Sequence, residues 1–292
     1  MGSIDLHTHS TVSDGTYTPT GLAQLARERG VRTFSLTDHD NVTGLDEAER
    51  AARAEGVELI PGIELTVNFE GRKLHVVALG FEREHPAFQT FYRAVRKSKE
   101  NGISELIAGI RAKGVDITEE KVQALTPGKL DRYAVMRYLV SLHLSEWVQP
   151  LWDEYIDPVL ARNGGCKDPA AAEAFAAIHA AGGVTSLAHF HKKIGLLGLT
   201  REKQEKIITA LHAAGLDGME GWYPSYTPED SAFVDALTRR LGLIKTGGTD
   251  FHGANRPGIE MGTGLEGNIT VPEEALARLK ESVAARHRQA GI

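Results

Sequence analysis

The sequence has a single cysteine, Cys166, in 292 residues. One thiol excludes an intramolecular disulfide and a thiolate metal cage, and it fits a reducing compartment. Long apolar runs are missing as well. Nowhere does an uninterrupted apolar stretch approach the roughly 18 residues of a membrane-spanning helix, so no membrane association is expected. Met1 leads almost directly into a strand pattern, with no room for a charged, apolar and cleavable leader, and the expected location is cytoplasmic. Positive charge is in deficit: 33 Lys and Arg face 39 Asp and Glu, a formal charge of -6. This argues against a chain that wraps nucleic acid through an overall positive field, while leaving room for a local basic pocket. There is no fixed-period repeat, low-complexity tract or flexible linker, and no protein partner is implied. With 41% hydrophobic and 25% charged residues, the chain has the composition of a globular protein able to bury a sizeable core.

What is present alternates. S-I-D-L-H reads as a strand, and T-P-T-G-L-A-Q-L-A-R-E-R-G as a helix capped by Thr18, with Pro19 in its first turn and Gly30 at its end. V-R-T-F-S-L-T is a second strand, T-G-L-D-E-A-E-R-A-A-R-A-E-G a second helix and V-E-L-I-P-G-I-E-L a third strand. That strand leads into a hairpin turning at Glu70-Gly71. The rhythm returns late, where helical patterns alternate with the strands G-V-T-S-L-A-H, L-D-G-M-E-G and L-I-K-T-G. Such repetition predicts a parallel α/β sheet, open or closed into a barrel. Residues 83–167 break the rhythm with helical patterns alone, including Q-T-F-Y-R-A-V-R-K-S-K-E-N-G-I-S-E-L-I-A-G-I-R-A-K-G read as one helix. The expected organisation is a sheet domain of residues 1–82 and 168–292, with 83–167 as a helical insertion or cap.

Residues with metal-ligand chemistry fall at strand ends. His7 and His9 close the first strand, two apart and so on one face. Asp14 lies in the loop beyond, His39 follows the second strand in T-D-H-D, and Glu64 ends the third in P-G-I-E. His75 reaches in from the hairpin, His189 follows S-L-A, and Asp250 and His252 follow the last strand in G-G-T-D-F-H. C-terminal strand ends form the rim where α/β folds build their sites. Six imidazoles and three carboxylates are too many for one ion, and without thiolate they suit manganese, iron or zinc. Two or three neighbouring divalent cations, with Glu64 able to bridge them, are apparatus for displacement at phosphorus: they neutralise phosphoryl oxygens and make hydroxide available near neutral pH.

H-T-H, S-D-G, T-D-H-D, P-G-I-E, A-H and T-D-F-H, in that order, resemble the metal-binding motifs of the polymerase and histidinol phosphatase (PHP) family. The resemblance implies a distorted seven-stranded β/α barrel with a trinuclear site, manganese foremost. One metal would take His7, His9, Glu64 and Asp250, a second Glu64, His75 and His189, and a third Asp14, His39 and His252. The insertion and G-M-E-G-W-Y-P-S-Y-T-P-E resemble the branch containing 3',5'-nucleoside bisphosphate phosphatases and a 5'-to-3' exoribonuclease acting on short RNA. Departures lie in A-H-F-H-K-K, where the family often has Pro after the histidine, and in D-R-Y-A, where it usually has R-P-H. Both places bear on substrate specificity rather than on metal binding.

The expected reaction is hydrolysis of a nucleotide phosphomonoester, preferably loss of the 3' phosphate from a 3',5'-nucleoside bisphosphate, with Glu64, Asp250 and His189 acting through a metal-bound hydroxide. Leaving-group protonation is left to water or a nearby His or Asp. Arg132, His191, Lys192 and Tyr223 are candidate substrate contacts: Arg132 forks onto phosphate, His191 and Lys192 offer a basic loop, and Tyr223, with Trp222 and Tyr226, offers rings for a base. Asp38 and Asp40 either orient ligands or sit solvated in a loop. His85, His143, His179, His212 and His287 have no such companions and are read as surface or core residues. The rival readings are an exoribonuclease on short oligonucleotides, another small-molecule phosphatase such as the histidinol-phosphate type, and a metal-binding editing module without turnover.

Overall fold

β1 (Ser3–Thr8) is buried along nearly its whole length, because both of its faces are covered. Ile4 and Leu6 pack with Leu276 and Leu279 of the helix Glu273–Ala290, while the alternate residues Asp5 and His7 point the other way. The computed structural model describes residues 3–126, 130–145, 148–162 and 167–292, so Cys166 lies outside the described residues. After β1 come β2 (Val31–Leu36), β3 (Glu58–Phe69), β4 (Arg72–Leu79), β5 (Val184–Leu187), β6 (Gly218–Trp222) and β7 (Ile244–Gly247), and these seven form one sheet in sequence order. A separate hairpin joins β8 (Ile259–Glu260) and β9 (Gly264–Leu265).

The sheet is mixed rather than wholly parallel. β4 runs against both β3 and β5, and the remaining pairs are parallel. The cause is the expected hairpin at Glu70-Gly71, whose two residues take φ of 50° and 80°, the left-handed pair of a two-residue turn that matches strand twist. Because β4 returns, its first half lies beside the C-terminal ends of its neighbours, with His75 opposite Thr66. β3 also runs past the rim. Glu64 therefore sits inside a long strand rather than at its end, bridged to His39 beyond β2. Between β1 and β7, no ladder forms among the described residues. The end of β1 instead meets the loop beyond β7 at an isolated bridge, Thr8 to Phe251, where the His9 N–H donates to the Phe251 carbonyl at 2.9 Å.

The connecting helices follow their local signals. Pro19–Glu28 starts where the Thr18 hydroxyl accepts from the Gly21 N–H. Pro228–Leu241 starts on a reciprocal pair between Thr227 and Asp230, and ends at left-handed Gly242.

The chain divides into two compact units, Met1–Tyr92 with Pro169–Ile292, and Arg93–Asp168. The second is helical and has its own core, in which Ile103, Leu106, Ile110, Leu139 and Ile156 are buried. The helical pattern expected to run unbroken from residue 89 to 114 is divided between Pro86–Glu100 and Ile103–Arg111 by Asn101 and Gly102, the latter at φ 78°. No helix among the described residues is long and apolar enough to cross a membrane.

Candidate metal centre

Three groups of donors come together within the first unit. His7, His9, Glu64 and Asp250 form one, His9, Asp14, His39 and His252 a second, and His39, Glu64 and His75 a third, each with ligand atoms within 4.8 Å of one another. Every one of these residues except His252 is buried. His189 lies at the same place, its Nε2 3.0 Å from Glu64 Oε1, the oxygen that His75 Nδ1 also approaches to 3.0 Å. The other Glu64 oxygen, Oε2, faces His39 Nδ1 at 2.8 Å, His9 Nε2 at 3.3 Å and His7 Nε2 at 3.4 Å. One carboxylate thus presents its two oxygens to two sets of imidazoles. Relative to the sets implied by the family resemblance, His9 also joins Asp14, and His39 joins Glu64 with His75.

The separations carry chemical information. His9 Nε2 to Asp250 Oδ1 is 3.2 Å, His252 Nε2 to Asp14 Oδ1 3.3 Å, His7 Nε2 to Asp250 Oδ1 3.5 Å and His39 Nε2 to Asp14 Oδ2 3.6 Å. These are longer than charge-assisted hydrogen bonds, which run about 2.7–2.9 Å. The two shorter ones match two donors on one ion, since bonds of about 2.1 Å set tetrahedral or octahedral neighbours roughly 3.0–3.4 Å apart, and the two longer ones lie just outside that range. In addition, His7 Nε2, His9 Nε2, Asp14 Oδ1, Glu64 Oε2 and His75 Nδ1 are buried and make no hydrogen bond. Buried polar atoms are costly when left so, and a cation shared among them removes the cost. The residues fit divalent metal ions.

Outer contacts fix the imidazoles for this. His7 Nδ1 is 2.7 Å from Glu220 Oε1, and His252 Nδ1 is 2.8 Å from the Asp250 carbonyl. Each Nδ1 is held as a donor, so each Nε2 turns its lone pair inward. His9 Nδ1 lies 3.4 Å from the Ser13 hydroxyl, which donates to Asp38 at 2.6 Å. Asp38 also accepts from the Ser10 N–H and hydroxyl, and Asp40 from the Thr66 N–H and hydroxyl. Both are buried structural carboxylates, not solvated loop residues. The glycine of S-D-G is needed for space: a Cβ on Gly15 would lie 2.1 Å from the His9 carbonyl oxygen.

With no cation between them, the buried donors shift one another's protonation. Burial disfavours charge on Glu64, but His75, His39 and His7 outweigh it and hold its pKa well below the ordinary value. Asp250 is held low against burial by Arg256, His7 and His252, and Asp14 by His252 and His39. All three are ionised donors at neutral pH. Burial, with His252 and His39 beside it, lowers His9 to about 3, and burial lowers His75 to about 4. His39 and His7 go the other way: burial opposes their charge, but Glu64 and Asp14 raise His39 to about 9, and Glu64, Glu220 and Asp250 raise His7 well above its ordinary value, so each ring would release a proton on taking a cation.

The family model of the PHP domain matches residues 5–219. The chain belongs to the PHP domain family. Among PHP relatives, it is 32% identical over 251 residues to a 5'-3' exoribonuclease of Haemophilus influenzae, covering 85% of this chain and 89% of that one. It is 28% identical over 264 residues to a 3',5'-nucleoside bisphosphate phosphatase of Chromobacterium violaceum, covering 90% and 91%. A solved structure from Bifidobacterium adolescentis, classed provisionally as a metal-dependent phosphoesterase, matches this PHP chain with TM-score 0.81 at 26% identity, over 96% of each chain. An amidohydrolase from Chromobacterium violaceum, solved with sulfate and no metal, matches with TM-score 0.78 at 27% identity, over 97% and 96%.

The candidate substrate contacts divide. Lys192 Nζ lies over the Tyr223 ring, 5.0 Å from its centroid, and burial lowers its pKa to about 8. His191 Nε2 is 2.9 Å from the Ser225 hydroxyl, and its ring meets Tyr223 and Tyr226 edge-on. Tyr223 is only 3% exposed, with His189, His191, Tyr226, Lys192 and Arg256 against its ring. Arg132 belongs to the Arg93–Asp168 unit, where its buried guanidinium lies over the rings of Tyr133 and Trp152 at 5.1 and 5.9 Å. Two residues escaped the sequence reading. Glu220 holds His7 and accepts from the His189 N–H at 2.6 Å, and Arg256 binds Asp250. A carboxylate in an otherwise apolar strand pattern, M-E-G-W, was the only available signal for Glu220.

Proposed function

We propose that this PHP chain is a metal-dependent phosphoesterase that removes the 3' phosphate from a 3',5'-nucleoside bisphosphate, leaving the 5'-nucleotide. The observation that carries the reading is the convergence of buried His, Asp and Glu donors at inter-ligand spacing, with five donor atoms making no hydrogen bond. The substrate follows from the bisphosphate phosphatase relative, which aligns over nine-tenths of both chains. The seven-stranded sheet is read as a distorted barrel whose seam is the Thr8–Phe251 bridge.

His7, His9, Asp14, His39, Glu64, His75, His189, Asp250 and His252 would hold two or three divalent cations, manganese before iron or zinc. Such ions neutralise phosphoryl charge and make hydroxide available near neutral pH. The chain's own part is positional. Glu64 offers one oxygen to each side of the cluster, and Glu220 holds His7 and the His189 backbone in place. Lys192, beside Tyr223, offers a cation to phosphate oxygens, and His191, lowered to about 4 by burial with Lys192 beside it, offers a neutral imidazole.

A second reading, exonucleolytic release of nucleotides from the 5' end of short RNA, is favoured by the Haemophilus relative. Phosphate release from a bisphosphonucleotide, compared with mononucleotide release from a 5'-phosphorylated tetranucleotide, separates the two. Faster turnover of the tetranucleotide would overturn the preferred substrate. Asp14→Ala and His189→Ala are expected to abolish both activities with an unchanged circular dichroism spectrum; full activity in either variant would refute the site.

A further inference from the structure

We propose that Tyr223 and Arg256 clamp Asp250 so that a single carboxylate oxygen faces the cation site, which makes them positioning residues for the metal centre. The proposal rests on the metal-dependent reading above.

The geometry is a closed triangle. The Tyr223 hydroxyl donates to Asp250 Oδ2 at 2.6 Å. Arg256 Nη1 donates to the same Oδ2 and to the Asp250 backbone carbonyl at 2.9 Å. Arg256 Nη2 donates to the Tyr223 hydroxyl at 2.7 Å, so that oxygen accepts from Arg256 while donating to Asp250. Two donors engage Oδ2 from different directions. Oδ1 is thereby the oxygen turned toward His9 Nε2, His7 Nε2 and His252 Nδ1, at 3.2, 3.5 and 3.5 Å.

The backbone adds a reason for a clamp. Asp250 has φ of 54°, a left-handed conformation that residues bearing a Cβ adopt sparingly. Its carbonyl is gripped by the same guanidinium, and also accepts from His252 Nδ1. Arg256 thus fixes both the main chain and the side chain of Asp250, in the loop after β7. Tyr223, from the end of β6, ties this loop to the neighbouring strand. A lysine has no planar fork with which to reproduce two such contacts, and a phenylalanine has no hydroxyl to link Arg256 to Oδ2.

The test uses the full chain, with Tyr223→Phe, Arg256→Lys and the double variant. Each is titrated with Mn²⁺, with free ion read by electron paramagnetic resonance and bound metal per chain by mass spectrometry. Each single variant is expected to bind the Mn²⁺ ion at Asp250 about 10- to 100-fold more weakly, the usual effect of losing an outer partner of a ligand. The double variant should be no worse than the weaker single, since the two residues hold one oxygen. With p-nitrophenyl phosphate, the loss of kcat should be recovered by excess Mn²⁺, with KM unchanged. Affinities within twofold of the parent, additive losses, or a raised KM at intact metal affinity would each overturn the clamp. If Arg256→Lys melts below the assay temperature, Tyr223→Phe alone decides by the same affinity criterion. A parent chain that binds no Mn²⁺ would instead overturn the metal-dependent reading.

Discussion

At the scale of single residues, Glu220 connects the two sides of the cluster, because one oxygen takes the His7 ring N–H and the other the His189 backbone N–H. Glu220→Gln puts an amide N–H₂ against one of these donors. We expect Mn²⁺ affinity to fall about 10- to 100-fold, measured by titration with metal counted per chain; unchanged affinity would make Glu220 a bystander. The donors themselves were legible because their residue types are chemically specific and follow strands in order. Glu220 and Arg256 were not, because a lone carboxylate or guanidinium has no spacing rule. The histidines read as structural have ordinary partners: His212 Nδ1 meets the Leu216 carbonyl at 2.9 Å, His287 Nε2 the Gly80 carbonyl at 2.9 Å, and His179 the Asp217 carboxylate at 2.7 Å.

At the scale of elements, the hairpin of β3 and β4 sets where His75 arrives, and its turn is imperfect. Glu70 occupies a left-handed position at φ 50°, where asparagine is preferred beside glycine. Glu70→Asn is therefore expected to stabilise the protein by about 0.5–1 kcal/mol, seen as a higher Tm; a lower Tm would mean that the glutamate makes a compensating contact. Helix starts at Thr18 and Thr227 were readable from capping chemistry that spans three or four residues. The break at Asn101-Gly102 within a periodic pattern was harder to read, since helix interiors also tolerate glycine at a cost. Likewise, β3 continues through Glu64 because β4 pairs with it as far as Phe69, and pairing depends on the partner strand.

At the scale of the whole molecule, the cluster joins the first strand to the loop after the last, so metal binding there would be coupled to folding stability. Mn²⁺ at 100 times its Kd is expected to add about 2.7 kcal/mol, read as a Tm that rises with Mn²⁺ and falls on chelation; a Tm indifferent to metal would contradict a folded-state site. Away from the cluster, Asp217 accepts from His179, Arg286 and Thr185. Burial disfavours its charge, but these partners outweigh burial and hold its pKa below the ordinary value. A depressed carboxylate pKa stabilises the fold above the unfolded value, near 3.9, and the gain is lost as pH falls through the folded one. Asp217→Asn should therefore cost about 2 kcal/mol at pH 7, with the difference from the parent shrinking below about pH 4. A difference independent of pH in chemical denaturation would assign the effect to packing.

The sequence alone determined the alternation of strands and helices, the hairpin turn and the identity and order of nine donor residues, because each of these depends on nearest neighbours or on residue chemistry. Only the tertiary structure decided which Glu64 oxygen faces which imidazole, that Asp38 and Asp40 are buried braces, and that Glu220 bonds to His7 and His189 and Arg256 to Asp250. Those facts join residues as far apart as His7 and Glu220. Contacts at that range are set by how strands pair and in which direction, and no local pattern encodes them.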